Sequence, residues 1–415
     1  MNTLEFPSEL TGTPARIIVL LGKYFPTGSH KVGATFGPLV ERLVTGRFDP
    51  VTQKAIWPST GNYCRGGAYD SHLLACQSIA ILPEEMSRER FDWLREIGAE
   101  VVATPGCESN VKEIYDRAAV IMAERGDGVV NLNQFAEFGN PLWHYAVTGP
   151  AMEDVFRREG GARSSLSAVF LNQGSAGTLG CCEYLREKFP LMKVCAGEAL
   201  QCPTLLLNGY GGHRIEGIGD KHVPWILNLR NLDVVAGIDD EATIRLMRLF
   251  NEPEGRAVLT AHGISRELLD RLDLLGISGI ANLIGAIKTA KYFEMTEKDV
   301  ILTVATDSME LYGSRVAEER ERLGAYSGRA AEVDFEARLR GIDTEWLMEL
   351  SYRDKRRMHN LKYFTWIEQQ GRSVEELDAQ WYDPDYWTSR WGAAERWDRL
   401  IEQFNERTGV LKKYL

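Results

Sequence analysis

The chain lacks several features that assign a protein to a class at once. Its seven cysteines (Cys64, Cys76, Cys107, Cys181, Cys182, Cys195 and Cys202) contain no C-x-x-C pair, and an odd number cannot complete a disulfide framework. They read as reduced thiols, which points to the cytoplasm. The seven histidines do not fall near them at ligand spacing, so no zinc site is expected. No apolar run approaches the length of a membrane-spanning helix. The opening "MNTLEFPSEL" has two acids and no basic apolar stretch, so no signal peptide is expected either. Positive charge is also short: 48 Lys and Arg stand against 59 Asp and Glu, a net charge of -11. Nucleic acid and anionic membranes reward the opposite sign, so neither is expected as a partner.

What is present is an ordinary globular composition, 44% hydrophobic and 26% charged over 415 residues, enough for two or three domains with cores of their own. From about residue 15 to residue 315 short apolar runs alternate with longer amphipathic ones. "RIIVLL", "SIAIL", "AEVVAT", "SAVFLN", "PTLLLN" and "DVILTVAT" read as buried strands. "SRERFDWLREIG", "NVKEIYDRAAVIMAERG" and "TLGCCEYLREKFP" read as helices, the last two stopping at Gly or just before Pro. This alternation predicts an α/β protein with mainly parallel sheets. The last hundred residues differ: they hold six of the ten tryptophans and no strand signal, and residues 332–371 read as helices. So many large aromatics need a surface to bury against, either the main domain or a second subunit.

Four local features carry chemistry. Lys31 lies in "YFPTGSHKVGAT", after an apolar run and at a predicted helix start. Taken alone it is a surface lysine. Residues 174–178 (Gly174, Ser175, Ala176, Gly177, Thr178) join a strand to a helix, and small residues there let backbone N–H groups and a helix N-terminus cradle a phosphate. The loop is neither a Walker loop nor the G-x-G-x-x-G of dinucleotide folds, and taken alone it is a tight turn. "PSTGNYCRGG" offers Ser59, Thr60, Gly61 and Asn62 at another strand end, a set able to hold a carboxylate or merely to turn the chain. "ATDSMELYGS" places Ser308 just past a strand, by itself only a helix cap. A Schiff-base lysine needs an aldehyde, and pyridoxal 5'-phosphate (PLP) supplies one together with a phosphate to anchor. One cofactor therefore accounts for all four.

In this order along the chain the motifs resemble the cysteine synthase and cystathionine β-synthase family of PLP enzymes, over about residues 15–320. "YFPTGSHK" is similar to N-P-[TS]-G-S-x-K, and the resemblance implies that Lys31 is the Schiff-base lysine. "STGNYCRGGAY" is similar to T-S-G-N-T-G-x-x-L/A, which implies Asn62 on the phenolic oxygen and Ser59, Thr60, Gly61 and Tyr63 on the substrate carboxylate. "ILPEEMSRERFDWLREIGAEVVATPG" follows P-E-x-M-S-x-E-R…G-A-E-V. "NQFAEFGNPLWHYAVTGPAMEDV" follows Q-F-x-N-P, which adds Gln134 to the carboxylate site. "GGHRIEGIGDKHVPWILN" implies a wall at Gly217 and Gly219, and "LLGISGIANLIGAIKTAK" resembles the G-I-S-S-G-A helix. "TDSMELY" resembles D-S-x-E-R-Y and implies Ser308 opposite the pyridine nitrogen.

The resemblance implies fold type II, like the tryptophan synthase β chain, with two open, mainly parallel sheets flanked by helices. The expected division is a large PLP-binding domain (1–47 and 148–320), a small mobile domain carrying the substrate loop (48–147) and a helical, aromatic-rich extension (321–415). It further implies a homodimer acting at the β-carbon of a small amino acid through an α-aminoacrylate. The expected reaction is β-replacement with a small nucleophile; the alternative is β-elimination to a keto acid and ammonia. The chain departs from the family pattern at "VGAT" after the lysine, at Tyr63-Cys64-Arg65 and at Asp220-Lys221-His222. If the last group points inward, a more polar substrate pocket is expected. Cys181 and Cys182 are expected to be buried packing residues.

Overall fold

A run such as "SLSAVFLN" can be buried on both faces, because alternate side chains point to opposite sides of a strand. In the computed structural model this is what happens. The structure describes residues 1–161 and 163–413, so the last two residues of the expected C-terminal extension lie outside the described residues. Strand β1 is Thr3–Phe6, β2 Arg16–Leu21, β3 Lys54–Pro58, β4 Ser78–Pro83, β5 Glu100–Thr104 and β6 Val129–Asn131. Strand β7 is Ser165–Asn172, β8 Lys193–Ala199, β9 Val234–Ile238, β10 Asp299–Ala305 and β11 Leu347–Glu349. One seven-stranded sheet has the order β1-β2-β10-β7-β8-β9-β11, and one four-stranded sheet the order β5-β4-β3-β6. The smaller sheet is wholly parallel. In the larger one only the edge strands β1 and β11 run antiparallel to their neighbours. The protein is α/β, as expected.

The core follows from the alternation. Ala168 and Phe170 of β7 join the apolar cluster on one face of the large sheet, and Val169 and Leu171 join the cluster on the other. The 16-residue helix Ile277–Tyr292 lies on the first face and is buried almost all round. Cys181 and Cys182 are buried in the second cluster. Among the described residues no single helix is long and apolar enough to cross a membrane.

Two local readings change. "PTLLLN" is not a strand but a helical turn, Thr204–Leu207, ended by Asn208 in the left-handed region. The buried carboxylate of Glu198 accepts the N–H groups of Leu205 and Leu206, both at 2.8 Å. A partner outside the run thus satisfies the free donors of a helix start, which an isolated apolar run cannot do. The second change is β11, inside a segment read as helical: Leu347–Glu349 pairs with Val234–Ala236 and extends the large sheet.

The C-terminal extension packs on its own chain. Val223 to Leu227 is a buried segment without helix or strand, so its carbonyls need partners from elsewhere. Trp366 Nε1 donates to Val223 O at 2.8 Å, and Lys362 Nζ donates to Trp225 O at 2.9 Å and Leu227 O at 2.7 Å. The Trp366 ring also joins a cluster with Tyr115 and Phe135, on segments flanking β6 of the smaller sheet, and with Trp225. Trp366→Ala should therefore cost about 3–5 kcal/mol of stability, read as a lowered midpoint of urea unfolding.

Candidate cofactor and active site

The helix Lys31–Val44 begins at the lysine itself, close behind the carboxyl end of β2. Open α/β sheets bind ligands at that end. Lys31 Nζ donates to Ser175 Oγ at 3.2 Å. The same oxygen receives Asn140 Nδ2 at 3.2 Å and the N–H of Gly177 at 3.4 Å. Three donors from three segments thus meet at the middle of the expected phosphate loop. Burial lowers the Lys31 ammonium to about 8, against the opposing pull of Asp220 and Glu108. A lysine in that range supplies free amine near neutral pH, which Schiff-base chemistry requires.

The loop shape depends on small residues. A Cβ on Gly177 would lie 2.0 Å from Asn140 Oδ1, so no other residue fits against that amide. Ala176 takes the left-handed conformation at φ 66°. Around the loop lies a small cavity of about 20 Å³, bounded by Lys31, Asn172, Gly174, Ser175, Ala176, Thr178, Gly217, Ser278 and Thr306 among others. Asn172 Oδ1 is buried there without a hydrogen-bond partner. A loop of small residues leading into a helix start and a lysine with a lowered pKa fit a phosphorylated aldehyde. His30 adds a neutral contact: its Nε2 is 3.3 Å from Thr178 Oγ1, and burial, helped by Lys31, drives its pKa down to about 3.

Not every expected residue bounds this cavity: Gly217 does, whereas Ser59, Thr60, Gly61, Asn62, Tyr63, Gln134 and Ser308 do not. Ser308 is buried but does not bound it. Val304 and Thr306, alternate residues at the end of β10, do, and by Ser308 the chain is already entering the turn Met309–Leu311. The serine on the wall is Ser278, in the first turn of Ile277–Tyr292, whose Oγ lies 3.8 Å from the position a Cβ on Gly217 would take. The Tyr63 ring is likewise misplaced for a carboxylate holder: it packs in the core of the small sheet, edge-on to Trp57 at 5.5 Å. Its backbone N–H is what it can offer. Gln134 is buried, and its carbonyl accepts from Asn140 Nδ2 at 2.9 Å, which links it to Ser175.

The loop carrying Ser59, Thr60, Gly61 and Asn62 lies at the end of β3. It is held by Arg90, a fully buried residue of the helix Arg88–Glu96. Arg90 Nη1 donates to Thr60 O at 2.9 Å and Nη2 to Tyr312 OH at 2.7 Å. Its charge faces Glu216 at 3.2 Å and Asp307 at 3.8 Å. Burial opposes that charge, but Tyr312, Glu216 and Asp307 more than offset it and raise the Arg90 pKa. Asn62 Nδ2 donates to Asp307 Oδ2 at 2.6 Å. Gly61, at φ 150°, leaves room for Arg90: a Cβ there would sit 2.2 Å from Nη1.

Of the departures from the family pattern, Asp220 and His222 are buried and Lys221 is exposed. Asp220 faces Lys31: burial raises it to about 7 and the lysine opposes the rise. His222 instead meets Tyr115 OH at 3.1 Å, inside the aromatic cluster. The Arg65 guanidinium lies over the Trp93 ring at 4.7 Å, with Nε and Nη1 unpartnered. Sequence reading missed Asn140, Asn172, Ser278, Thr306 and Arg90 as site residues. All five stood in quoted stretches, but nothing in their immediate neighbours marks them off from ordinary strand-end or helix residues.

Arg90→Met should leave Glu216 and Asp307 buried with less charge compensation. The expected loss is about 3–5 kcal/mol, measured by denaturant unfolding. Arg90→Lys should not restore it, because an ammonium cannot reproduce the fork geometry.

Comparison with known proteins gives this geometry a family. Residues 3–307 match the profile described as "Pyridoxal-phosphate dependent enzyme". The chain is 27% identical over 322 residues to the cystathionine beta-synthase of Saccharomyces cerevisiae, a match covering 76% of this chain but only 60% of the yeast protein. It is 28% identical over 299 residues to a probable cysteine synthase of Bacillus subtilis, covering 72% of this chain and 88% of that one. In fold it is similar to the O-acetylserine dependent cystathionine beta-synthase of Helicobacter pylori, with TM-score 0.62 and 24% identity over 75% of this chain and 94% of that one. A hydrogen sulfide-producing enzyme of Fusobacterium nucleatum gives TM-score 0.64 at 22% identity, over 75% and 96%. The chain belongs to the pyridoxal-phosphate dependent enzyme family, in its fold type II branch.

Proposed function

We propose that this enzyme carries out β-replacement on a small amino acid, exchanging an activated β-substituent such as that of O-acetyl-L-serine for a small nucleophile such as sulfide. The observation that carries the reading is Lys31, depressed to about 8 and hydrogen-bonded to Ser175 of the phosphate loop. The similarity to a probable cysteine synthase over 88% of that protein's length supports the reaction class.

When bound, PLP supplies the electron sink that lets a β-substituent leave. The chain's own residues do the rest. The N–H groups of Gly174 to Thr178 would hold the phosphate, with the hydroxyls of Ser175 and Thr178 beside them. Asn62 would donate to the phenolic oxygen. Ser308, which the motif TDSMELY assigns to the ring nitrogen, would offer it a neutral hydroxyl, and a neutral partner moderates the sink where a carboxylate would strengthen it. The loop Ser59 to Asn62, with the N–H of Tyr63 and the side chain of Gln134, orients the substrate carboxylate. The Lys31 amine would be the residue placed to take the substrate's α-proton as general base. Residues 48–147 would form the small mobile domain, residues 1–47 with 148–320 the large PLP-binding domain, and residues 321–415 the C-terminal extension. The seven cysteines are all free thiols, which supports a reducing compartment such as the cytoplasm, and a homodimer is the proposed assembly.

The test is a paired assay of the holoenzyme. O-acetyl-L-serine with sulfide should yield cysteine; pyruvate and ammonia as the main products, with or without sulfide, would replace this reading by β-elimination. Lys31→Ala should lose both the visible absorbance of bound PLP and all turnover. The pH dependence has a fixed sign. Below about 8 the Lys31 amine is increasingly protonated, so the rate of reconstituting apoenzyme with PLP should fall by about tenfold per pH unit as pH drops, and level off above about 8. A flat stopped-flow profile between pH 6 and 8 contradicts it.

A further inference from the structure

Asn62 is buried, and an amide can present either its nitrogen or its oxygen to a neighbour. Something must choose. Across from it lies Asp307, fully buried at the end of β10 and accepting on one oxygen from Asn62 Nδ2 at 2.6 Å and from Tyr312 OH at 2.7 Å. Arg90 Nη2 stands 3.8 Å from the same oxygen. An ionised carboxylate only accepts, so the flipped amide would set Asn62 Oδ1 against Asp307 and lose a charge-assisted bond. With one N–H engaged, the second N–H of Nδ2 remains free.

We propose that Asp307 is a positioning residue for the cofactor: it locks the Asn62 amide so that the remaining N–H meets the phenolic oxygen of PLP. This rests on the reading that Asn62 faces that oxygen. The contact also spans the two sheets. Asn62 and Arg90 come from segments of the four-stranded sheet, whereas Asp307 and Tyr312 follow β10 of the seven-stranded one. The phenolic oxygen therefore keeps its donor only while the two sheets stay docked.

The readout is the absorbance of bound PLP, whose visible band belongs to the ionised phenol and whose near-ultraviolet band belongs to the neutral one. An N–H donor favours the ionised form. Asp307→Asn, of nearly equal volume, should lower the visible-to-near-ultraviolet ratio by about tenfold, with a far-ultraviolet circular dichroism spectrum like that of the wild type. Asn62→Ala should lower it at least as far, and the double variant should match Asn62→Ala alone. A ratio unchanged in Asp307→Asn, or an additive double variant, overturns the role of Asp307 while leaving Asn62 in place. A ratio unchanged in Asn62→Ala overturns the reading of Asn62 and this inference with it. If Asp307→Asn does not fold, Tyr312→Phe decides. It removes the other donor that orients the carboxylate and should lower the ratio in the same direction; an unchanged ratio there overturns the proposal.

Discussion

The guanidinium of Arg90 is the interaction on which the site depends. Taking an ion out of water is costly unless each N–H finds a partner. This chain supplies hydrogen-bond acceptors at the Thr60 carbonyl and the Tyr312 hydroxyl and opposite charges at Glu216 and Asp307. Because they belong to both sheets, satisfying one buried charge fixes how the sheets meet. The arrangement then propagates. Gly61 must lack a side chain to let Arg90 in, the loop after β3 must bend where the carbonyl of Thr60 is needed, and Asp307 is left facing Asn62. The polar loop that reads in sequence as a ligand binder is thus shaped from behind by a residue that need not touch the ligand.

Lys31 shows a different balance. Burial alone would strip its charge, but Asp220 and Glu108 restore part of it and leave the group near 8. Those acids are themselves pushed upward by burial, Asp220 to about 7. Lys31 and Asp220 therefore hold protons in a similar pH range, which suits a group that must release a proton, react as an amine and later accept one. Neutral imidazoles at His30 and His144, stacked edge to face at 5.3 Å, keep further positive charge away from the lysine.

What the sequence discloses is what local chemistry determines. The runs at β2, β4, β7 and β10 are apolar because both faces are covered, and the phosphate loop is small because backbone must approach an anion. Both leave a pattern in consecutive residues. What stays hidden is set by partners distant in the chain. "PTLLLN" has strand composition, yet Glu198 caps it into a helical turn. Ser308 and Ser278 are both serines beside strand or helix ends, and only the turn after β10 decides which one bounds the cavity. Tyr63 follows the site asparagine by one residue, and helical geometry alone carries its ring away toward Trp57. In each case the residue type is legible and its direction is not.

The aromatic extension follows the same logic at larger scale. The segment Val223 to Leu227 is buried and irregular, and it continues directly from the chain that carries Gly217 and Asp220. Irregular backbone survives burial only if its carbonyls are paired. Here the pairing comes from Trp366, Lys362 and Gln380, whose side chains reach three of those carbonyls. Lys362 Nζ donates to two carbonyls and to the amide oxygen of Gln380 and lies over the Trp225 and Trp387 rings, while burial pulls its pKa below the ordinary lysine range. The extension is joined to this segment by those bonds. It completes the hydrogen bonding of the wall behind the site, and the position of Asp220 relative to Lys31 depends on a segment that begins more than a hundred residues later.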